Sequence, residues 1–200
     1  MSDTPKPLPE KIPAHFDNVL RREFRGESDR ACVILAASLL DNALLSLLRA
    51  RLVATPSATD SLLDGANAPL STFSARIDMC YRLGVLSAKF TRDLHLVRKI
   101  RNQFAHNITG CSFEESSVRD RIQALANSSG YEKAHESWQK LFPDTPKGQF
   151  EFAIGWMQWY LREETISIES IPEAIEEWGY NITWDELNPD SDTSDPVDDV

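Results

Sequence analysis

One segment constrains the fold more than any other. Residues 28–53 contain the run RACVILAASLLDNALLSLLRARLV, which is apolar around most of the circumference of a helix. Such a helix lacks a broad polar face that could be exposed to solvent, so it is predicted to be the central, buried helix of a soluble domain. Ser28 suits the N-cap position. Ser38, Asp41 and Asn42 interrupt the apolar run, which disfavours a membrane-spanning segment.

Helical spacing of apolar residues recurs along the chain, and no convincing strand alternation is present. The sequence therefore predicts an all-α, single-domain helical bundle of about six to eight helices. The helices are expected near residues 13–26, 28–53, 72–84, 87–107, 114–127, 131–141, 146–166 and 171–178.

The two ends of the chain differ from the middle in composition. Residues 1–12 are rich in proline and predict an extended arm, whereas residues 13–187 form the predicted helical domain. Residues 188–200 contain five Asp, two Pro and almost nothing apolar, so we expect a disordered acidic tail.

Charge is distributed unevenly. Residues 1–112 carry 15 Lys and Arg against 11 Asp and Glu, a balance of +4, and residues 113–200 carry 6 against 20, a balance of −14. Proteins that hold nucleic acid by charge are usually basic overall. Any contact with nucleic acid is therefore expected to be weak or indirect.

The sequence offers no ligand set for a metal or a cofactor. Cys32, Cys80 and Cys111 form no CxxC pair and no cluster with histidine, and no glycine-rich phosphate loop is present. Reduced cysteines are typical of cytoplasmic proteins, and the first residues lack the apolar core of a secretion signal. We therefore expect a cytoplasmic protein that needs no cofactor.

The helix predicted over 87–107 combines an apolar stripe with cationic residues. At 100° per residue, Arg101 falls in the middle of the stripe, where a guanidinium needs an acceptor. Asp41 on the buried helix is the carboxylate that needs a cation. We therefore predict a structural ion pair between Asp41 and Arg101, with Arg76 as the alternative partner of Asp41.

The polar face of the same helix carries Asn102 and His106, which are one turn apart. The run RNQFAH, from Arg101 to His106, resembles the motif of the helical HEPN superfamily. In ribonucleases of that superfamily, the Arg and His line a cleft at a dimer interface and act on RNA without metal. The resemblance implies catalytic roles for Arg101 and His106, with Asn102 positioning. The competing interpretation is an ordinary polar surface.

A longer resemblance covers about residues 28–108. The run LLDGANAPLSTFSARIDMCYRLGVLS, residues 62–87, and the following LVRKIRNQFAH resemble the mannitol operon repressor family. The resemblance implies an all-helical domain that acts in transcriptional repression. The residues agree, because no basic recognition helix of the kind that reads DNA grooves is apparent. The Trp-rich helices and acidic end of the second half depart from the family pattern.

Three functional hypotheses follow. The first is a non-enzymatic bacterial transcriptional regulator that acts through protein–protein contacts, with a regulator or the transcription complex as partner and with itself as a homodimer. The second is a metal-independent ribonuclease or toxin of the HEPN type that uses Arg101 and His106. The third is an antitoxin-like or immunity-like binding protein whose acidic half mimics nucleic acid.

Overall fold

The computed structural model describes residues 22–107, 110–129 and 143–174. These residues form five α-helices and no strand, which confirms the predicted all-α class. The helices are α1 (Asp29–Arg51), α2 (Phe73–Arg82), α3 (Ala88–His106), α4 (Ser116–Ser129) and α5 (Pro146–Ser167).

Several sequence predictions fall outside the described ranges. They are the arm over 1–12, most of the helix over 13–26, the helix over 131–141 and the acidic tail over 188–200. The helix predicted over 171–178 is wrong where it can be compared, because residues 171–174 are not helical.

Local capping explains where the helices begin. The hydroxyl oxygens of Ser28, Thr72, Ser87 and Thr145 each accept a backbone N–H from three residues further along, at 3.2 Å. Each bond satisfies a donor that the first turn of a helix leaves without a partner. Gly84, with a φ of +69°, ends the turn after α2 in a left-handed conformation that a side chain would disfavour.

Helix α1 is the centre of the bundle, as its composition predicts. It packs against α2, α3 and α5, and eight of its side chains are buried. By length and composition alone α1 could cross a bilayer. Burial against three neighbouring helices accounts for the same composition without a membrane.

The contacts at the ends of α1 give the helix directions. At its N-terminal end, Lys147 Nζ donates to the carbonyl oxygen of Glu27 at 2.5 Å, and at its C-terminal end Ile171 N donates to Arg51 O at 2.7 Å. Helix α5 therefore runs parallel to α1. The Arg30 guanidinium reaches the carbonyl oxygen of Asn107 at 2.5 Å, so α3 runs antiparallel to α1.

Three phenylalanine rings join α3, the α3–α4 connection and α5. The ring centroids of Phe104 and Phe113 are 5.6 Å apart, and those of Phe113 and Phe150 are 5.1 Å apart. All three side chains are at most 1% exposed. Phe113 therefore attaches the connection between α3 and α4 to the core, with the ring of Phe104 on one side and that of Phe150 on the other.

The three thiols should differ in reactivity. Cys32 and Cys80 are fully buried, and burial raises the pKa of Cys32 to about 11 and that of Cys80 to about 12. A raised pKa leaves little thiolate at about pH 8. Cys111 is partly exposed, although burial and Glu115 raise its pKa too.

We expect Cys111 alone to react quickly with a thiol-specific reagent in the native protein, and the other two thiols to react after denaturation. Absorbance titration followed by peptide mapping measures this order. Replacing Cys111 by Ser should remove the fast phase. A fast reaction at Cys32 or Cys80 would contradict the packing of α1 or α2.

Candidate functional site

Helix α3 has a buried side and a solvent side. The buried side is formed by Leu94, Val97, Ile100 and Phe104, each with 0% exposure. On the solvent side, Arg101 and His106 are exposed and Asn102 is half-buried. The residues of the RNQFAH motif are thus accessible at the C-terminal end of the helix.

Asp41 pairs with Arg76 and not with Arg101. Arg76 Nη1 lies 2.8 Å from Asp41 Oδ1, and Arg76 Nε donates to the carbonyl oxygen of Leu70 at 2.9 Å. The Arg101 side chain is exposed, and its Nη1 donates to Asn102 Oδ1 at 3.2 Å. The expected pair between Asp41 and Arg101 is not formed, and the alternative partner occupies the position.

The register between two helices explains this correction. Arg30 of α1 also donates to the carbonyl oxygen of Phe104, so these residues face each other in the antiparallel pair. Asp41 comes eleven residues after Arg30, about 16 Å further along α1, so it lies away from the end of α3 that carries Arg101.

The Asp41–Arg76 pair is only partly withdrawn from solvent. The Arg76 side chain is 9% exposed, whereas that of Asp41 is 29% exposed. Asp41 Oδ1 itself has no contact with solvent and accepts no well-directed hydrogen bond, so the nearby guanidinium compensates its charge. This pair anchors α2 to α1.

The motif residues are brought together only in part. Arg101 and Asn102 are bonded, but His106, one turn further, makes no hydrogen bond or ion pair with any residue in the described ranges. His95 on the same helix is held through Nε2 by Asp78 Oδ1 at 3.0 Å. Arg101, Asn102 and His106 therefore do not form an assembled acid–base pair among the described residues.

Arg30 clamps the end of the helix that carries this surface. Its guanidinium donates to the carbonyl oxygens of Phe104 and Asn107, which the last turn of α3 leaves without intrahelical partners. The sequence analysis did not single out Arg30. An arginine in the first turn of α1 opposes the helix dipole, and that mismatch is the signal for a partner elsewhere.

Two polar networks attach α4 to α3. Gln103 Nε2 donates to Glu115 Oε1 at 2.6 Å and to Ser117 Oγ at 2.7 Å, while Arg121 donates to Gln103 Oε1. Near the other end of α3, Asp93 is buried and its two carboxylate oxygens accept from Arg92 and Ser128. Sequence spacing gave no indication of either network, because both depend on how α4 packs.

A metal site is not formed by the residues described. No group of three or more His, Cys, Asp and Glu side chains within the three described ranges is placed to hold a metal ion.

Comparison with known proteins places this helical domain in a family. The family described as mannitol repressor matches residues 17–146, and the chain belongs to it. The match extends beyond the 28–108 segment expected from sequence motifs and reaches the first residue of α5.

Two curated relatives and one solved structure give the degree of similarity. The chain is 29% identical over 113 residues to the mannitol operon repressors of Escherichia coli K12 and of E. coli O6:H1 strain CFT073. Each match covers 54% of this chain and 57% of the relative, so the chain spans little more than half of their length. The X-ray structure of the MtlR–HPr complex from E. coli matches with a TM-score of 0.53 and 22% identity, covering 74% of this chain and 99% of that one. That likeness shows a shared fold.

Proposed function

We propose that this chain is a non-enzymatic transcriptional regulator of the repressor type, which acts in the cytoplasm through contacts with another protein. The family match over residues 17–146 carries the proposal, because relatives in this family are named operon repressors. The solved relative in complex with HPr supports a protein as the partner.

The surface of the domain supports protein contact over base reading. Asp78 and Tyr81 lie on the exposed side of α2, and the Tyr81 side chain is 45% exposed beside the Asp78–His95 pair. Exposed tyrosines next to charged groups are typical anchors of protein interfaces. We propose that the neighbouring solvent faces of α2 and α3 form the partner surface, and that self-association uses the same face of α3.

Titration calorimetry with HPr, the partner in the solved complex, tests the regulator proposal. We expect the full chain to bind HPr, and Lys99→Glu on the solvent face of α3 to weaken that binding. Lys89→Glu is the matched control, because Lys89 is an exposed lysine near the opposite end of the same helix, about 15 Å from Lys99 along its axis. Specific, nanomolar binding of operator DNA without any partner protein would overturn the proposed mode of action.

One observation favours a second function, metal-independent RNA cleavage. Arg101 and Asn102 contact each other on an exposed face, and His106 is exposed one turn away. A guanidinium can hold a phosphate and an imidazole can transfer a proton near neutral pH. However, the chain has a net charge of −10, which disfavours holding an RNA strand.

We expect no RNA cleavage in the absence of metal by the wild type or by His106→Ala. His106 is exposed and its side chain makes no hydrogen bond or ion pair with the described residues, so circular dichroism should show an unchanged helix content. Arg101→Ala is an equally clean variant, since Arg101 does not pair with Asp41. Cleavage by the wild type that both variants lose would establish the enzymatic function.

A further inference from the structure

One segment of this acidic protein is strongly cationic. Residues 82–106 contain six Lys and Arg but only one acidic residue, Asp93, a balance of +5 in a chain whose net charge is −10. Helix α3 makes up most of this segment. The charge is therefore concentrated along one element of the bundle.

The cations near the C-terminal end of α3 have no carboxylate partner among the described residues. Arg98, Lys99 and Arg101 form no ion pair there, whereas Arg76 pairs with Asp41 and Arg92 with Asp93. Lys99 and Arg101 are exposed, and Arg98 is half-buried. At 100° per residue these three residues, with Asn102 and His106, span about 160° of the helix circumference, with Arg98 between Arg101 and Lys99. This broad side of α3 is called the cationic face below.

The chain itself contains a segment of complementary charge. Residues 188–200 carry five Asp and no Lys or Arg. Like charges along such a segment repel one another, and a cationic surface relieves that repulsion. Because the segment and the domain belong to one chain, the segment stays near the domain at an effective concentration of about the millimolar range.

The geometry of the bundle permits the contact. Because α5 runs parallel to α1 and α3 runs antiparallel, the last described residues leave the bundle at the end where α3 begins. From Ala174 to Asp190 the chain can extend by about 50 Å. Helix α3 is about 28 Å long, so the acidic residues can reach its far end.

We propose that residues 188–200 dock in cis on the cationic face of α3. The tail then competes with any anionic partner for the side chains of Arg98, Lys99 and Arg101. The contact consists of solvent-exposed charges, so it is weak, reversible and sensitive to salt. The inference does not depend on the regulator proposal, because it concerns two parts of one chain.

Zero-length cross-linking of the full chain with a carbodiimide tests the contact, since it joins a lysine amine to a carboxylate only when the two touch. We expect amide links between Lys99 and aspartates of 188–200, identified by mass spectrometry of the digest. Their yield should fall about fivefold or more at roughly 0.5 M salt. Replacing the five tail aspartates by asparagine should abolish them.

Lys89 is the internal control. It is exposed on the same helix, nearer the end where the chain leaves the bundle, and it lies on the side of the helix opposite Arg98. A tail that moves randomly would link Lys89 at least as often as Lys99, and that result would overturn the proposal.

A mixture of ¹⁴N-labelled and ¹⁵N-labelled protein separates cis from trans contacts. We expect both peptides of each link to carry the same label. Links of mixed label would show that the cationic face binds a second copy of the chain. An absence of links would mean that another anionic partner binds this face. Either result would contradict docking in cis.

Discussion

Replacing Phe113 by Ala should lower the free energy of unfolding by about 3–5 kcal/mol. The Phe113 side chain is 1% exposed and its ring contacts those of Phe104 and Phe150. Truncation removes apolar area from the core and leaves a cavity between α3 and α5. It also removes the aromatic contacts, which contribute beyond the buried area.

Chemical denaturation followed by circular dichroism measures this loss. Ile166→Ala is the control, because Ile166 is also a large apolar residue but is 69% exposed. We expect that control to change the free energy of unfolding by less than about 0.5 kcal/mol. If the two variants lost equal stability, the aromatic cluster would not join the helices as described.

Arg76→Ala should lower the free energy of unfolding by about 2–4 kcal/mol. The change leaves Asp41 without its cation and the carbonyl oxygen of Leu70 without its donor. The value is set below that of a fully buried pair because the Asp41 side chain is 29% exposed. Asp41→Ala should cost less, since Arg76 keeps its bond to Leu70.

A double-mutant cycle separates the ion pair from packing. Arg76→Met retains most of the side-chain volume, and combining it with Asp41→Leu removes both charges. We expect the double variant to be more stable than Arg76→Met alone. Asp120→Ala is the control, because Asp120 is exposed and its side chain forms no hydrogen bond or ion pair with the described residues. Additive effects of the two changes would show that the charges do not interact.

Patterns among neighbouring residues were sufficient to predict the helices. They were not sufficient to predict contacts between residues that are distant in the sequence. Ser28 caps its helix as expected because an N-cap depends only on the next three residues. The choice between Arg76 and Arg101 as the partner of Asp41 depends on the register of α1 against α3. Helical periodicity contains no information about that register.

The helix predicted over 171–178 illustrates the same limit. Pro172 suits the first turn of a helix, and the sequence nearby gives no reason to reject one. In the structure, Ile171 N donates to Arg51 O and Arg51 Nη1 donates to Glu169 O. These two bonds attach residues 169–171 to the end of α1, where a tertiary contact outweighs the local preference.

The residues of the candidate site could be predicted from the sequence, but the contacts among them could not. The sequence indicated that Arg101, Asn102 and His106 share a helix and that the second half of the chain is acidic. The Arg30 clamp joins residues more than 70 positions apart, and only the packed bundle brings them together.

The position of α5 has a consequence for what counts as one cooperative unit. The family match ends at residue 146, where α5 begins, yet α5 packs along α1 with Phe150, Ile154 and Leu161 at 0% exposure. A chain cut at residue 146 would leave the most apolar helix uncovered on one flank and would be prone to aggregate. The segment that the family model matches is therefore shorter than the set of helices that pack together as one core.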